Sequence, residues 1–138
     1  MRLKWILAST LVTTLMFVVL NGWLFPLVFP NGLAEKFANA REPQLMMFHV
    51  IAFLATGGFL SFIVAFSDTT GARDTLLLGA LLGLLVSLPE HLHLYAMTTA
   101  PMVDQFLPVV WTVVTWALVV GAAGWVVARG KHIPLTDD

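Results

Sequence analysis

The stretch FLPVVWTVVTWALVVGAAGWVVA, residues 106–128, decides the fold class of this chain. It contains no charged residue and no regular alternation of polar and apolar positions. Crossing the hydrocarbon core of a bilayer takes about 20 helical residues, and backbone in that environment must satisfy its own hydrogen bonds. Because the strands of membrane barrels alternate in polarity, this stretch predicts a transmembrane α-helix.

Three further apolar runs precede it, at residues 5–27, 45–66 and 75–97, and short polar or proline-containing segments separate them. Short connections predict that consecutive helices are antiparallel neighbours. Of the 138 residues, 59% are hydrophobic and 11% are charged, with a mean hydropathy of +0.89. Soluble domains carry about twice that share of charge. We therefore predict an all-α fold, a four-helix up-down membrane bundle formed by a single domain over residues 1–138.

The basic residues predict the orientation of the bundle. Five of the seven fall on one side of the predicted topology, namely Arg2, Lys4, Arg73, Arg129 and Lys131. The positive-inside rule makes that side cytoplasmic, so both termini are expected in the cytoplasm and the protein in the plasma (inner) membrane. The first apolar run is too long for the core of a signal peptide and lacks a small-residue cleavage pattern, so we expect it to be retained.

The composition also limits the possible partners and reactions. A net charge of −1, with basic residues scattered singly, predicts no nucleic-acid partner. The absence of cysteine excludes disulfides and thiolate metal ligands. No nucleophile elbow, phosphate loop, dinucleotide fingerprint or His-Glu-x-x-His motif occurs. We expect a protein without enzymatic activity, with acid–base catalysis by Glu90 and His91 on a lipid-soluble substrate as an alternative.

The segment LPEHLHLY, residues 88–95, contains the candidate site, because Glu90 is the one acidic residue inside a predicted span. An ionisable side chain at the bilayer centre costs roughly 2.5–3.5 kcal/mol on insertion scales, so it normally faces the protein interior and has a partner. The candidate ligand- or proton-binding residues are Glu90, His91, His93 and, at similar depth in the second run, His49. The supporting residues are Asn21 and Thr112 in the same layer, Pro89, which is expected to kink the helix, and Tyr95, which ends a four-residue repeat beginning at Gly79.

Three hypotheses for function follow from this segment. The first is a proton- or small-ligand-binding site within the membrane near the outer face. The second is a non-catalytic accessory or assembly subunit of a larger membrane complex, with membrane lipids or further copies of the chain as its other partners. The third is a divalent-metal site formed by His49, Glu90 and His93, or a haem held by histidines of opposed helices.

Overall fold

The computed structural model describes residues 3–29, 46–67, 71–97 and 102–131. Nearly all of these residues belong to four helices, on which the four predicted spans fall: α1 (Leu3–Val28), α2 (Met46–Phe66), α3 (Ala72–Met97) and α4 (Met102–Lys131). The predicted all-α fold class is confirmed for this part of the chain.

Three of the helices are long and apolar enough to cross a membrane. Their apolar segments are Leu3–Val28 of α1, Ala72–His93 of α3 and Phe106–Gly130 of α4. The apolar segment of α2, Val50–Phe66, is shorter, and residue 45, where the second span was predicted to begin, lies outside the described residues. The lengths and composition of these helices support an integral membrane protein.

The tightest packing joins α3 to α4, and glycines allow it. A Cβ atom at Gly79 would meet the main chain of α4 at Trp116 and Ala117, and one at Gly83 would lie 3.0 Å from the Cα of Val113. Small residues at four-residue spacing share one face of a helix and let two backbones approach closely. These contacts also show that α3 and α4 run antiparallel.

Hydroxyl groups join α1 to α2. Ser9 donates a hydrogen bond of 2.9 Å to the Oγ of Ser61, and the hydroxyl of Thr13 lies 3.5 Å from the same oxygen. Gly57 makes room for this contact, because a Cβ atom there would lie only 2.7 Å from the Oγ1 of Thr13. Such bonds between membrane helices contribute about 0.6 kcal/mol on average. These two helices are also antiparallel.

Helix α4 packs against α1 as well, and this pair defines the two ends of the molecule. Trp5 of α1 lies beside Gly130 of α4, at what we call the Trp5 end. Trp111 of α4 bonds to Asn21 of α1, at what we call the Trp111 end. The same register places α1 and α4 antiparallel.

The packing loosens from the Trp5 end to the Trp111 end. The buried apolar core consists of Phe17, Leu60, Val64, Val119, Val120, Ala123 and Val127. The described side chains of α1 beyond Phe17, and those of α2 before Gly57, are all exposed or only half-buried. By contrast, α3 stays packed on α4 as far as Ser87 and His91. Toward the Trp111 end α1 therefore keeps contact with α4 through Asn21, Phe25 and Phe29 on Trp111, while the described side chains of α2 are little buried.

The expectation that all consecutive helices are packed neighbours does not hold for α2 and α3. Within the described residues, these two helices lack the close backbone packing that joins α1 to α2 and α3 to α4. The physical reason is that Gly79 and Gly83 of α3 lie against α4, whereas Gly57 and Ser61 of α2 lie against α1.

One turn of α1 is widened near the Trp111 end. Residues Val18–Leu24 form a π-helix, and the backbone N–H of Phe25 donates to the carbonyl of Leu20, five residues back. Pro26 follows directly and has no N–H to donate, so α-helical bonding is already interrupted here. Turns of this kind are often found at functional sites.

Candidate functional site

His91 belongs to the packing between α3 and α4. Its side chain is buried, and its Nδ1 lies 2.9 Å from the carbonyl oxygen of Ser87. A carbonyl oxygen can only accept, so Nδ1 carries the proton and donates it. The hydroxyl of Ser87 in turn donates to the carbonyl of Gly83 at 2.7 Å. The ring of His91 is thus oriented by its own helix on the face that meets α4.

Glu90 and His93 occupy a different face of α3. Both side chains are exposed in the single chain, and their three-residue spacing places them on the same side of the helix. Within the part of the chain that the structure describes, neither forms a hydrogen bond or an ion pair. Glu90 was expected to be buried against other helices or neutral, and its side chain is instead exposed in the single chain.

Glu90 belongs to a row of residues on α3 whose first two members pack against the apolar core. Leu78 and Leu82 pack partly buried against the apolar core. Val86 and Glu90 follow them at four-residue intervals, so all four lie along one stripe of α3. Val86 is already 52% exposed. Burial along this stripe ends before Val86, and Glu90 beyond it is exposed in the single chain.

Three aromatic rings lie on the side of the apolar core that is nearest the Trp111 end. The ring of Phe17 stacks on Phe53 of α2 with 6.2 Å between centroids, and Trp116 of α4 meets Phe17 edge-on at 6.1 Å. Offset stacked and edge-to-face pairs at such distances are favourable arrangements. We call Phe17, Phe53 and Trp116 the aromatic floor.

Polar residues stand about one helical turn beyond the floor toward the Trp111 end. Asn21 follows the floor residue of α1 by four positions, and Thr112 precedes the floor residue of α4 by four. His49 precedes the floor residue of α2 by the same interval, although its side chain lies outside the described part of the structure. We use the name polar cleft for the region of these polar residues on the Trp111 side of the aromatic floor, toward Glu90.

Asn21 and Trp111 tie α1 to α4 across the Trp111 end. The indole Nε1 of Trp111 donates to the Oδ1 of Asn21 at 3.2 Å, and the indole ring packs against Phe25 and Phe29 at 5.7 and 5.6 Å. The sequence pointed to Asn21 by its depth, but it did not indicate Trp111 as its partner. The similar depth of an amide on one helix and an indole on another could have indicated this hydrogen bond.

Trp111→Phe is expected to lower the free energy of unfolding by about 0.6 kcal/mol, the average for a hydrogen bond between membrane helices. Phenylalanine keeps an aromatic ring beside Phe25 and removes the donor. In a double-mutant cycle with Asn21→Leu, the double variant should lose little more than either single variant, since both remove one bond. Chemical denaturation in detergent provides the measurement, and fully additive losses would contradict the assigned bond.

The remaining sequence candidates lie away from the polar cleft or do not form a metal site. Pro89 is inside α3, which continues past it to Met97, and Tyr95 packs edge-on against Phe106 at 6.3 Å. Among the side chains that the structure describes, no three His, Cys, Asp or Glu groups come together to hold a metal ion. A site built from His49, Glu90 and His93 stays a prediction, because it includes His49.

Comparisons with known proteins add no family to this geometry: no protein-family model, no curated protein and no solved structure matches the chain. The described residues themselves give an unpartnered carboxylate, an imidazole three positions away and two polar side chains above an aromatic floor. Such an arrangement can bind a charged or protonatable group.

Proposed function

We propose that this chain is a small inner-membrane protein that binds a protonatable or charged ligand in the polar cleft, with Glu90 as the charged contact. One observation carries the proposal: Glu90 lies exposed in the same four-residue row of α3 as Leu78 and Leu82, which pack against the core. A carboxylate in hydrocarbon without a partner is costly, so this position requires water, a proton or a ligand.

The neighbouring residues have distinct roles in this proposal. His93 shares the face of Glu90 and can share a proton or a hydrogen bond with it. Thr112, whose hydroxyl donates to the carbonyl of Pro108 at 2.9 Å, and Asn21 supply polar contacts on the opposite wall. His49 is expected to contribute from α2. His91 does not contact the ligand in this proposal. It stabilises the packing of α3 on α4.

The proposal includes an orientation. Lys4, Arg73 and Arg129 lie at the Trp5 end, and Arg129 stacks on the ring of Trp125 at 3.5 Å. Basic residues collect on the cytoplasmic side of membrane proteins. The Trp5 end and both termini are therefore assigned to the cytoplasm, and the polar cleft opens toward the outer face.

Single cysteines test whether the polar cleft contains water, and the chain has no native cysteine to interfere. Thiols react as thiolates, which form in water and not in hydrocarbon. Glu90→Cys is expected to react rapidly with a charged, membrane-impermeant thiosulfonate added to the outside of intact spheroplasts. Leu92→Cys, two positions away at nearly the same depth and on the opposite side of α3, replaces a side chain that is 47% exposed and should react slowly. Equal reactivity of the two variants would refute the cleft.

The second candidate function, an assembly subunit of a larger membrane complex, draws on the same exposure of Glu90 and His93, because another polypeptide would cover them. The cysteine experiment separates the two functions. A subunit interface predicts that the thiol of the Glu90→Cys variant is protected in native membranes and becomes reactive after purification in detergent. A ligand cleft predicts that this thiol is reactive in both preparations.

A further inference from the structure

We infer that the end of α1 nearest Trp111 is a hinged arm that one side chain of α4 holds in place, a conformational device that goes beyond the proposed function and does not depend on it. The arm is the segment 25–29, and the hinge is the π-helix directly before it, Val18–Leu24. Helices bend sharply at π-helical turns and at prolines, and Pro26 follows this π-helix almost at once. Helix α1 therefore has a defined place at which it can bend.

The hinge lacks a main-chain hydrogen bond that an uninterrupted helix has. The backbone N–H of Phe25 donates to the carbonyl of Leu20 and not to that of Asn21. The next possible donor to Asn21 is Pro26, which has no N–H. The carbonyl of Asn21 thus has no main-chain donor within α1. A Cβ atom at Gly22 would meet none of the described residues within 4 Å, so close packing does not brace the hinge on that side.

The two sides of the hinge are held very differently. Before it, Thr13 and Phe17 are buried in the packing of the bundle. Beyond it, Leu27 is 76% exposed and Val28 is half exposed. Lipid tails are as apolar as these side chains, so no hydrophobic penalty opposes movement of the arm away from α4 in a bilayer. Directional contacts with α4 must hold the arm in place.

Trp111 of α4 makes those contacts, and we call it the clasp. Its ring centroid lies 5.7 Å from that of Phe25 and 5.6 Å from that of Phe29, and its Nε1 donates to Asn21 in the hinge. Among the described residues, every hydrogen bond and ring contact between α4 and the part of α1 after Leu20 involves this one side chain. Loss of the indole is therefore expected to release the arm and leave the rest of α1 in place.

Distances between paired nitroxide labels test the device, and the chain has no native cysteine to interfere with labelling. The test pair joins Leu27→Cys in the arm to Leu118→Cys in α4. The control pair joins Leu7→Cys, before the hinge, to the same position in α4. All three side chains are at least 45% exposed, so the labels leave the core intact. Double electron–electron resonance is recorded on the full chain in phosphatidylcholine nanodiscs.

Trp111→Ala is expected to broaden the distance distribution of the test pair and to shift it toward longer distances, while the control pair keeps its wild-type distribution. Trp125→Ala, at the other end of α4, is the matched tryptophan control and should change neither pair. Pro26→Ala returns an N–H to α1 beside the hinge, so adding it to Trp111→Ala should narrow the test distribution again.

Three results would overturn the inference. An unchanged test pair in Trp111→Ala would show that the indole does not hold the arm. Broadening of both pairs would mean that the whole bundle loosens and that α1 has no hinge. A test distribution as broad in the variant that combines Pro26→Ala with Trp111→Ala as in Trp111→Ala alone would show that the missing main-chain bond does not permit the bend.

Discussion

Gly79→Val is expected to destabilise the protein by about 1–3 kcal/mol or more, the range for overpacking a well-packed contact. The Cβ atom would meet the carbonyl oxygen of Trp116 and lie 2.7 Å from the Cα of Ala117. Both are main-chain atoms of α4, which cannot turn aside as the end of a flexible side chain can. The two helices must move apart, and every contact along their shared face weakens with them.

Gly58→Val is the matched control for this prediction. Its Cβ atom would meet only Cγ2 of Thr10, at an ordinary 3.7 Å, so the same exchange is expected to leave stability nearly unchanged. Thermal unfolding in detergent, followed by the fraction that remains monodisperse after heating, provides the measurement. Equal midpoints for the variants at Gly79 and Gly58 would show that α3 and α4 are not packed as described.

Gly57→Val is the second substitution with a large expected effect, again about 1–3 kcal/mol, and here the neighbouring Gly58 is an even closer control. A Cβ atom at Gly57 would lie 2.7 Å from the Oγ1 of Thr13 and 2.8 Å from that of Thr14. Both hydroxyls donate to the carbonyl of Thr10, at 2.9 and 2.7 Å. They cannot turn away from the new methyl groups without losing those bonds.

A rescue experiment identifies the cause of the loss at Gly57. Removing one of the opposing hydroxyls, with Thr13→Ala in the Gly57→Ala background, should restore part of the stability that Gly57→Ala loses. Midpoints of thermal unfolding for the two single variants and the double variant give the coupling between the sites. Strictly additive losses would mean that Gly57 and Thr13 do not meet.

The fold class and the positions of the helices could be predicted from the sequence, because the length of an apolar run and the thickness of a bilayer are directly related. The four-residue repeat that begins at Gly79 indicated the contact face of α3, because the small residues of this repeat are the ones that let α4 approach closely. The separation of α2 from α3 could not be predicted. It depends on which partner each small-residue face selects, and the hydropathy of a run does not contain that information.

The residues of the candidate site could be chosen from the sequence, but their arrangement could not be predicted. Counting residues predicted Glu90, Asn21 and Thr112 in one layer, whereas Thr112 lies beside Gly83, seven residues before Glu90 in α3. Helical geometry separated His91 from His93. Neither argument could tell that His91 is buried while Glu90 is exposed in the single chain. The widened turn at Val18–Leu24 was also missed, since no residue pattern specifies a π-helix as strongly as a 3.6-residue repeat specifies an α-helix.

The loosening of the helices toward the Trp111 end has a mechanical consequence in a bilayer. The Trp5 end is held by the closely packed core, so its cross-section is fixed. The Trp111 end is held mainly by the pairing of α3 with α4 and by the bond between Asn21 and Trp111. A change in the spacing of the helices at the Trp111 end would therefore alter the area that the protein occupies in one leaflet more than in the other.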